Sequence, residues 1–111
     1  MLSITEYNIA VVGLGYVGLP LAVEFAKYRE VIGFDIELKR ISELNEGIDS
    51  SNEVTKEELK GVSESLVFTS NKTELSKCNF YIISVPTPID NDNFPDMSYL
   101  IGASQLIGSV L

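Results

Sequence analysis

The sequence predicts an α/β fold in which helices cover both faces of a doubly wound parallel sheet. Short β-branched runs alternate with segments of helical periodicity, which is typical of consecutive β–α–β units. The first of these runs is apolar on both sides of the pleat, as a strand covered on two faces requires. A glycine-rich turn then joins it to the first helix. The length of 111 residues suits one domain, residues 1–111.

Four strands are predicted from apolar runs that stop at a glycine, a polar residue or a proline. They are Asn8–Val12, Val31–Phe34, Leu66–Thr69 and Phe80–Ser84. Pro86 and Pro88 end the last run, because proline cannot supply a ladder donor. Apolar spacing of three and four predicts helices over about Tyr16–Tyr28, Glu37–Asn45, Glu57–Lys60 and from about Met97 onward.

The last helix places Leu100, Ala103, Ile107 and Val110 on one face, and no glycine or asparagine caps it. We therefore expect a fragment of a longer protein, with a sheet truncated after about four strands. In the doubly wound order, strand four would then be an open edge. Open edges pair readily, so we expect self-association through this strand or the last helix.

Charge and composition exclude several classes of partner. The net charge is −8 without histidine, which disfavours nucleic acid, because duplex binding depends on clustered Lys and Arg. The longest uncharged stretches, Ile9–Val23 and Met97–Leu111, are shorter than the ~20 residues of a membrane span. A single cysteine, Cys78, cannot form an intramolecular disulfide, and it favours a reducing compartment. We expect a cytoplasmic protein that binds no membrane.

The segment Gly13-Leu14-Gly15-Tyr16-Val17-Gly18 is a G-x-G-x-x-G motif between a predicted strand and a predicted helix. This context is the one that dinucleotide binding requires. Gly13 allows the sharp turn, Gly15 lets a pyrophosphate approach the backbone, and Gly18 lets the helix lie close to the sheet. The positive end of the helix then faces the phosphates. The motif indicates a Rossmann-type domain.

Asp35 ends the second strand, where a carboxylate can accept from the adenine ribose hydroxyls and repel a 2′-phosphate. The position therefore favours NAD over NADP as the cofactor. Asp is also a preferred N-cap, so Asp35 could instead cap the helix that begins near Glu37. Lys39 and Arg40 follow closely and could hold a 2′-phosphate; we expect Asp35 to prevail because it lies nearest the ribose.

Three strings resemble the UDP-glucose/GDP-mannose family of nucleotide-sugar 6-dehydrogenases. They are Gly13–Pro20 with its internal Tyr-Val and following Leu-Pro, Val31–Asp35, and Ser84-Val85-Pro86-Thr87-Pro88. The last string, with Asn93–Asp96, is most similar to the branch that acts on UDP-N-acetylhexosamines. The resemblance covers the whole of this chain, but it corresponds to only about the first quarter of a family member.

The resemblance implies a set of cofactor-binding residues. Tyr16 and Val17 would line the dinucleotide with the three glycines, Asp35 would hold the adenine ribose, and Arg40 would lie beside the adenosine. Val85, Pro86 and Thr87 would contact the cofactor, with Thr87 near its nicotinamide half. The residues themselves leave alternatives to these ligand contacts open. Tyr16 could simply pack over the loop, and Thr87 could serve only the turn between two prolines.

The resemblance also implies a reaction. Family members oxidise the C6 alcohol of a nucleotide sugar twice to a uronic acid with two NAD⁺, through a cysteine thioester. The substrate would be UDP-N-acetylglucosamine or UDP-N-acetylgalactosamine, for surface polysaccharide biosynthesis. That cysteine lies in a sugar-binding domain absent here, so we expect no catalytic residue in this chain and cofactor binding without turnover. Cys78 has no matching motif and is interpreted as a packing residue.

Two other functions are compatible with the same motifs. An S-adenosylmethionine-dependent methyltransferase domain also uses a glycine-rich first turn and an acid after strand two, although it does not explain Gly18. A stand-alone nucleotide sensor would need no second domain. No metal site is expected, because the run Asp90–Asn93 lacks the Gly and Glu that a calcium loop needs at its sixth and twelfth positions.

Overall fold

A computed structural model describes residues 8–15, 17–85 and 97–110. For Tyr99 it describes the backbone but not the side chain. Strands and helices alternate along most of the chain. The strands are β1 (Ile9–Val12), β2 (Val31–Phe34), β3 (Leu66–Thr69) and β4 (Phe80–Ile83). The helices are α1 (Gly18–Ala26), α2 (Leu38–Asn45), α3 (Lys56–Gly61), α4 (Lys72–Leu75) and α5 (Ser98–Val110).

The four strands form one parallel sheet in the order β3-β2-β1-β4. Val11 of β1 lies opposite Gly33 of β2 and Ile82 of β4. All carboxyl ends therefore meet at one edge, where the chain continues into the glycine loop, Asp35 and Ser84. The predicted Rossmann-type doubly wound sheet is confirmed, and β4 is an outer strand of the described sheet.

Alternate residues of β1 pack into two separate apolar cores, one on each face of the sheet. Ile9 and Val11 join the core under α1, α2 and α3, whereas Ala10 and Val12 join the core under α4 and α5. Every residue of β1 is buried. The apolar character of β1 on both sides of its pleat thus reflects two covering layers.

Helix α4 is the element that the sequence did not predict. It has only four residues and one buried apolar side chain, Leu75, so it leaves no periodic pattern. Its start is fixed locally, because the Asn71 side chain accepts a hydrogen bond from the Thr73 N–H. Leu75 and Cys78 both lie in the second core, which confirms Cys78 as a packing residue.

The strands β2 and β3 have their predicted bounds, and the other boundaries differ from prediction by at most two residues. Helix α1 begins at Gly18 and ends at Ala26, inside the predicted range. Helix α3 begins earlier than predicted, because Thr55 and Glu58 form a reciprocal capping box. In α5, Ala103 and Ile107 are buried on the predicted face. Among the helices that the structure describes, none combines the length and apolar character of a membrane span.

Candidate functional site

A cleft of about 1050 Å³ opens at the carboxyl edge of the sheet, between the glycine loop, the end of β2, the end of β4 and α5. Ligands of open parallel sheets bind at this position, outside the carboxyl ends of the strands. Among the described residues its lining comprises Val12, Gly13, Leu14, Gly15, Val17, Phe34, Asp35, Ile36, Glu37, Arg40, Ser84, Val85, Ser98, Gly102, Ala103 and Leu106.

Gly13 makes the turn out of β1, and it sits where three strand ends meet. Its φ of +101° lies in the region that L side chains rarely adopt. Its N–H donates to the Phe34 carbonyl at 2.8 Å, which ties the turn to β2. A Cβ here would overlap the backbone carbonyl of Ser84, just beyond β4. Only glycine permits this approach of the two backbones.

Gly15 and Gly18 occupy opposite environments within the same loop. A Cβ on Gly18 would overlap the carbonyl oxygen of Gly13, so Gly18 allows α1 to pack closely on the turn. A Cβ on Gly15 would meet no heavy atom of the described residues within 4 Å. The space beside Gly15 is therefore open to a ligand, whereas the space beside Gly18 is filled by the protein itself.

The amino end of α1 borders this open space. Val17 is its N-cap, contributes no side-chain capping hydrogen bond and is 59% exposed. The first turn contains no acidic residue. The positive end of the helix dipole is thus not neutralised by a carboxylate of its own helix, which suits an anionic group at this point.

The Asp35 carboxylate bridges the glycine loop and the start of α2. Its Oδ2 accepts from the Leu14 N–H at 2.9 Å, and its Oδ1 accepts from the Glu37 N–H at 3.0 Å. The N-cap position of α2 is occupied by Glu37, not by Asp35, although the bond to the Glu37 N–H resembles the capping alternative. Asp35 also lines the cleft, so these hydrogen bonds to the protein leave its carboxylate accessible to a ligand.

Arg40 binds the same loop residue from the other side. Its Nε donates to the Leu14 carbonyl at 2.8 Å, and its Nη1 donates to Oδ1 of Asp49 at 2.7 Å. Its Nη2 lies 3.4 Å from the Ser51 hydroxyl oxygen. Both backbone groups of Leu14 are therefore bound by charged side chains from the β2–α2 segment. We call this arrangement of Asp35, Arg40 and Leu14 the Leu14 clamp.

Asp49, which the sequence analysis missed, supports the clamp from behind. Its side chain is inaccessible to solvent and accepts from the N–H groups of Ser51, Glu53 and Val54 as well as from the Ser51 hydroxyl and Arg40. Burial alone would raise the pKa of Asp49, but the hydrogen bonds from Ser51, Arg40 and these amides hold that pKa well below its usual range. The sequence signal was the Asp followed by Ser-Ser-Asn, a pattern typical of Asx turns.

The described residues place most of the predicted cofactor-binding set in one cleft. Its lining includes Gly13, Gly15, Val17, Asp35, Arg40 and Val85, while Gly18 is buried behind Gly13. The predicted contacts of Tyr16, Pro86 and Thr87, and the run Asp90–Asn93, lie outside the described residues. Cys78 is buried in the second core, where burial and then Glu74 raise the pKa of its thiol.

Comparison with known proteins decides the family. The model of the UDP-glucose/GDP-mannose dehydrogenase family, NAD binding domain, matches residues 7–111. The chain belongs to this family. The predicted resemblance is confirmed, and NAD is the cofactor of this domain. The match decides against the methyltransferase alternative.

Curated relatives within the UDP-glucose/GDP-mannose dehydrogenase family include two UDP-N-acetyl-D-glucosamine 6-dehydrogenases. That of Salmonella typhi is 54% identical over 111 residues, which are 100% of this chain and 26% of the relative. That of Pseudomonas aeruginosa is 58% identical over 106 residues, 96% of this chain and 25% of the relative. The chain thus spans about a quarter of these relatives, and the similarity to the UDP-N-acetylhexosamine branch is confirmed.

A solved family structure has the same fold. The UDP-D-ManNAc dehydrogenase from Pyrococcus horikoshii superposes with a TM-score of 0.85 at 36% identity, covering 94% of this chain and 26% of that one. The residues at the cleft therefore belong to a known dehydrogenase architecture. Their individual roles toward the cofactor are taken up below.

The contrast between Gly18 and Gly15 gives a paired prediction. Gly18→Ala should lower the free energy of unfolding by about 1–3 kcal/mol or more, because its Cβ collides with backbone rather than with a movable side chain. Gly15→Ala should change it by no more than about 0.5 kcal/mol, because within the described part of the chain no heavy atom lies within 4 Å of the added methyl. Urea denaturation followed by circular dichroism measures both. Equal destabilisation of the two variants would contradict the assigned packing.

Proposed function

We propose that the cleft binds NAD with its pyrophosphate at the amino end of α1 and its adenine ribose at Asp35. The observation that carries this proposal is the open space at Gly15 beside a helix terminus that has no acidic residue in its first turn. A side chain at Gly15 would occupy the space into which a phosphate must come. Because the whole chain carries a net charge of −8, this local dipole must attract the dinucleotide against the overall field.

Asp35 retains the capacity to hold the ribose. A carboxylate offers about four lone-pair positions, and the two amides of Leu14 and Glu37 use two of them. Two positions are left for the ribose 2′- and 3′-hydroxyls. The same charge repels a 2′-phosphate, which supports NAD over NADP. Because the clamp fixes the carboxylate, the acceptor is preorganised.

The remaining predicted contacts complete the proposed site. Arg40 lies beside the adenosine, and Val17 borders the pyrophosphate with Tyr16. Val85 lines the cleft just after β4. We assign it, with Pro86 and Thr87 that follow it in the sequence, to the nicotinamide half, because β4 lies on the other side of β1 from Asp35. When bound, NAD⁺ supplies the hydride acceptor, and this chain's residues hold and orient it.

The cofactor proposal is tested by calorimetric titration of the chain with NAD⁺ and NADP⁺. NAD⁺ should bind more tightly, and Asp35→Ala should weaken NAD⁺ binding by about 1–3 kcal/mol, the scale of hydrogen bonds to a charged group. Glu64→Ala is the matched control, because it removes an exposed carboxylate next to the amino end of β3. Equal affinity for the two cofactors in the unmodified chain would refute the ribose assignment.

We further propose that the full-length enzyme oxidises C6 of a UDP-N-acetylhexosamine to a uronic acid with two NAD⁺, for surface polysaccharide biosynthesis. The two UDP-N-acetyl-D-glucosamine 6-dehydrogenases at 54% and 58% identity support this substrate class. This chain alone should bind cofactor without turnover, since the resemblance puts the catalytic cysteine in the sugar-binding domain. A cytoplasmic site of action is part of the proposal and agrees with the buried, free thiol of Cys78.

The substrate proposal is tested by following NADH formation by the full-length enzyme with different sugars. UDP-N-acetylglucosamine or UDP-N-acetylgalactosamine should give a higher kcat/KM than UDP-glucose, and two NADH should form per sugar consumed. A preference for UDP-glucose would contradict the substrate class. One NADH per sugar would contradict the double oxidation.

We also propose that the chain self-associates at high concentration through β4. This strand is an outer strand of the described sheet, and such edges offer backbone groups to another copy. Sedimentation velocity at increasing concentration should show a rising mass. Ile101→Glu, on the exposed side of α5, should leave the association unchanged if β4 is the contact. A monomer at every concentration would refute the proposal.

A further inference from the structure

The guanidinium of Arg40 is already engaged by protein groups although it borders the proposed adenosine site. Each of its three nitrogens has a protein acceptor: the Leu14 carbonyl, the Asp49 carboxylate and the Ser51 hydroxyl. The side chain is only 11% exposed. Arginine at such a position can hold a 2′-phosphate, provided that its charge and its donors are directed to that phosphate.

The positive charge of Arg40 is balanced by Asp49, on the side of the guanidinium away from the glycine loop. Asp49 lies 2.7 Å away with a side-chain exposure of 0%, so solvent does not screen the pair from that side. Five hydrogen bonds converge on the Asp49 carboxylate, and all of them favour its ionised form. The positive charge that a 2′-phosphate would need is therefore paired before any cofactor arrives.

We propose that Asp49 is a determinant of the preference for NAD over NADP and acts by engaging the charge of Arg40, so that this charge is not available to a 2′-phosphate. The inference rests on the proposed placement of that ribose at Asp35. Asp49 is a positioning residue, since it would act on the cofactor only through Arg40. Two acids then set the preference: Asp35 repels the 2′-phosphate directly, and Asp49 keeps the nearest arginine from attracting it.

The first test is Asp49→Asn, which keeps the shape of the side chain and removes its charge. The ratio of the NADP⁺ to the NAD⁺ dissociation constant, measured by calorimetry, should fall by about fivefold. This is the scale of one part-exposed ion pair, here the pair between the freed Arg40 and the 2′-phosphate. Glu46→Gln is the control, because Glu46 is an exposed acid just after α2 and is not one of the hydrogen-bond partners of Arg40. An equal weakening of both cofactors would assign Asp49 a structural role only and overturn the inference.

The second test identifies the basic residue that responds. In the Asp49→Asn background, adding Arg40→Gln should restore the original ratio, whereas adding Lys39→Gln at the exposed neighbour should not. Restoration by Lys39→Gln instead would overturn the inference.

A third variant covers the case in which Asp49→Asn does not fold, as judged by circular dichroism. Arg40→Gln alone should weaken NAD⁺ and NADP⁺ by the same factor, because the arginine contributes nothing to a 2′-phosphate in the unmodified chain. A selective loss of NADP⁺ affinity would overturn the inference. If the unmodified chain binds neither cofactor, the proposed function itself fails, and that result is distinct from an unchanged ratio in Asp49→Asn.

Discussion

The Leu14 clamp is the interaction on which the geometry of the cleft depends. The Leu14 N–H donates to Asp35, and the Leu14 carbonyl accepts from Arg40. Its side chain is 0% exposed. A loop with three glycines has a high conformational entropy to lose, which two charge-assisted hydrogen bonds and a buried leucine offset. The backbone and the side chain of Leu14 are therefore held by protein groups alone.

A second constraint is the contact between backbones at the end of the sheet. Gly13 approaches the Ser84 carbonyl, and Gly18 approaches Gly13 in turn, so the ends of β1, β4 and α1 meet through close backbone contacts. This packing determines how far the helix terminus stands from the strand ends. The dipole of α1 can act on a bound phosphate only because the terminus opens onto the cleft and is not covered by its own residues.

The electrostatics of the cleft are local. The chain carries 16 acidic and 8 basic residues, so its overall field opposes a dinucleotide. Two of the acids at or behind the cleft have defined partners: Asp35 receives two backbone amides, and Asp49 receives amides, a hydroxyl and the Arg40 guanidinium. A carboxylate satisfied in this way serves as a fixed hydrogen-bond acceptor and a fixed barrier to additional negative charge. In the proposed function these acids provide selectivity, and the attraction of the dinucleotide is left to the helix dipole.

Periodicity and motif spacing predicted the sheet, its doubly wound order, four of the five described helices and the cofactor, and the resemblance of three strings predicted the family. These features depend on local rules: apolar runs build strands, and the glycine spacing needs a strand before it and a helix after it. Tertiary structure alone decided that Leu14, a variable position of the motif, is the residue held by Asp35 and Arg40, and that Asp49 holds Arg40. These contacts join residues 21, 26 and 9 positions apart across separate turns. No local pattern encodes the two contacts to Leu14, because they arise only when the carboxyl ends of β1 and β2 are brought side by side. The Arg40–Asp49 pair forms only when the segment after α2 folds back onto that helix.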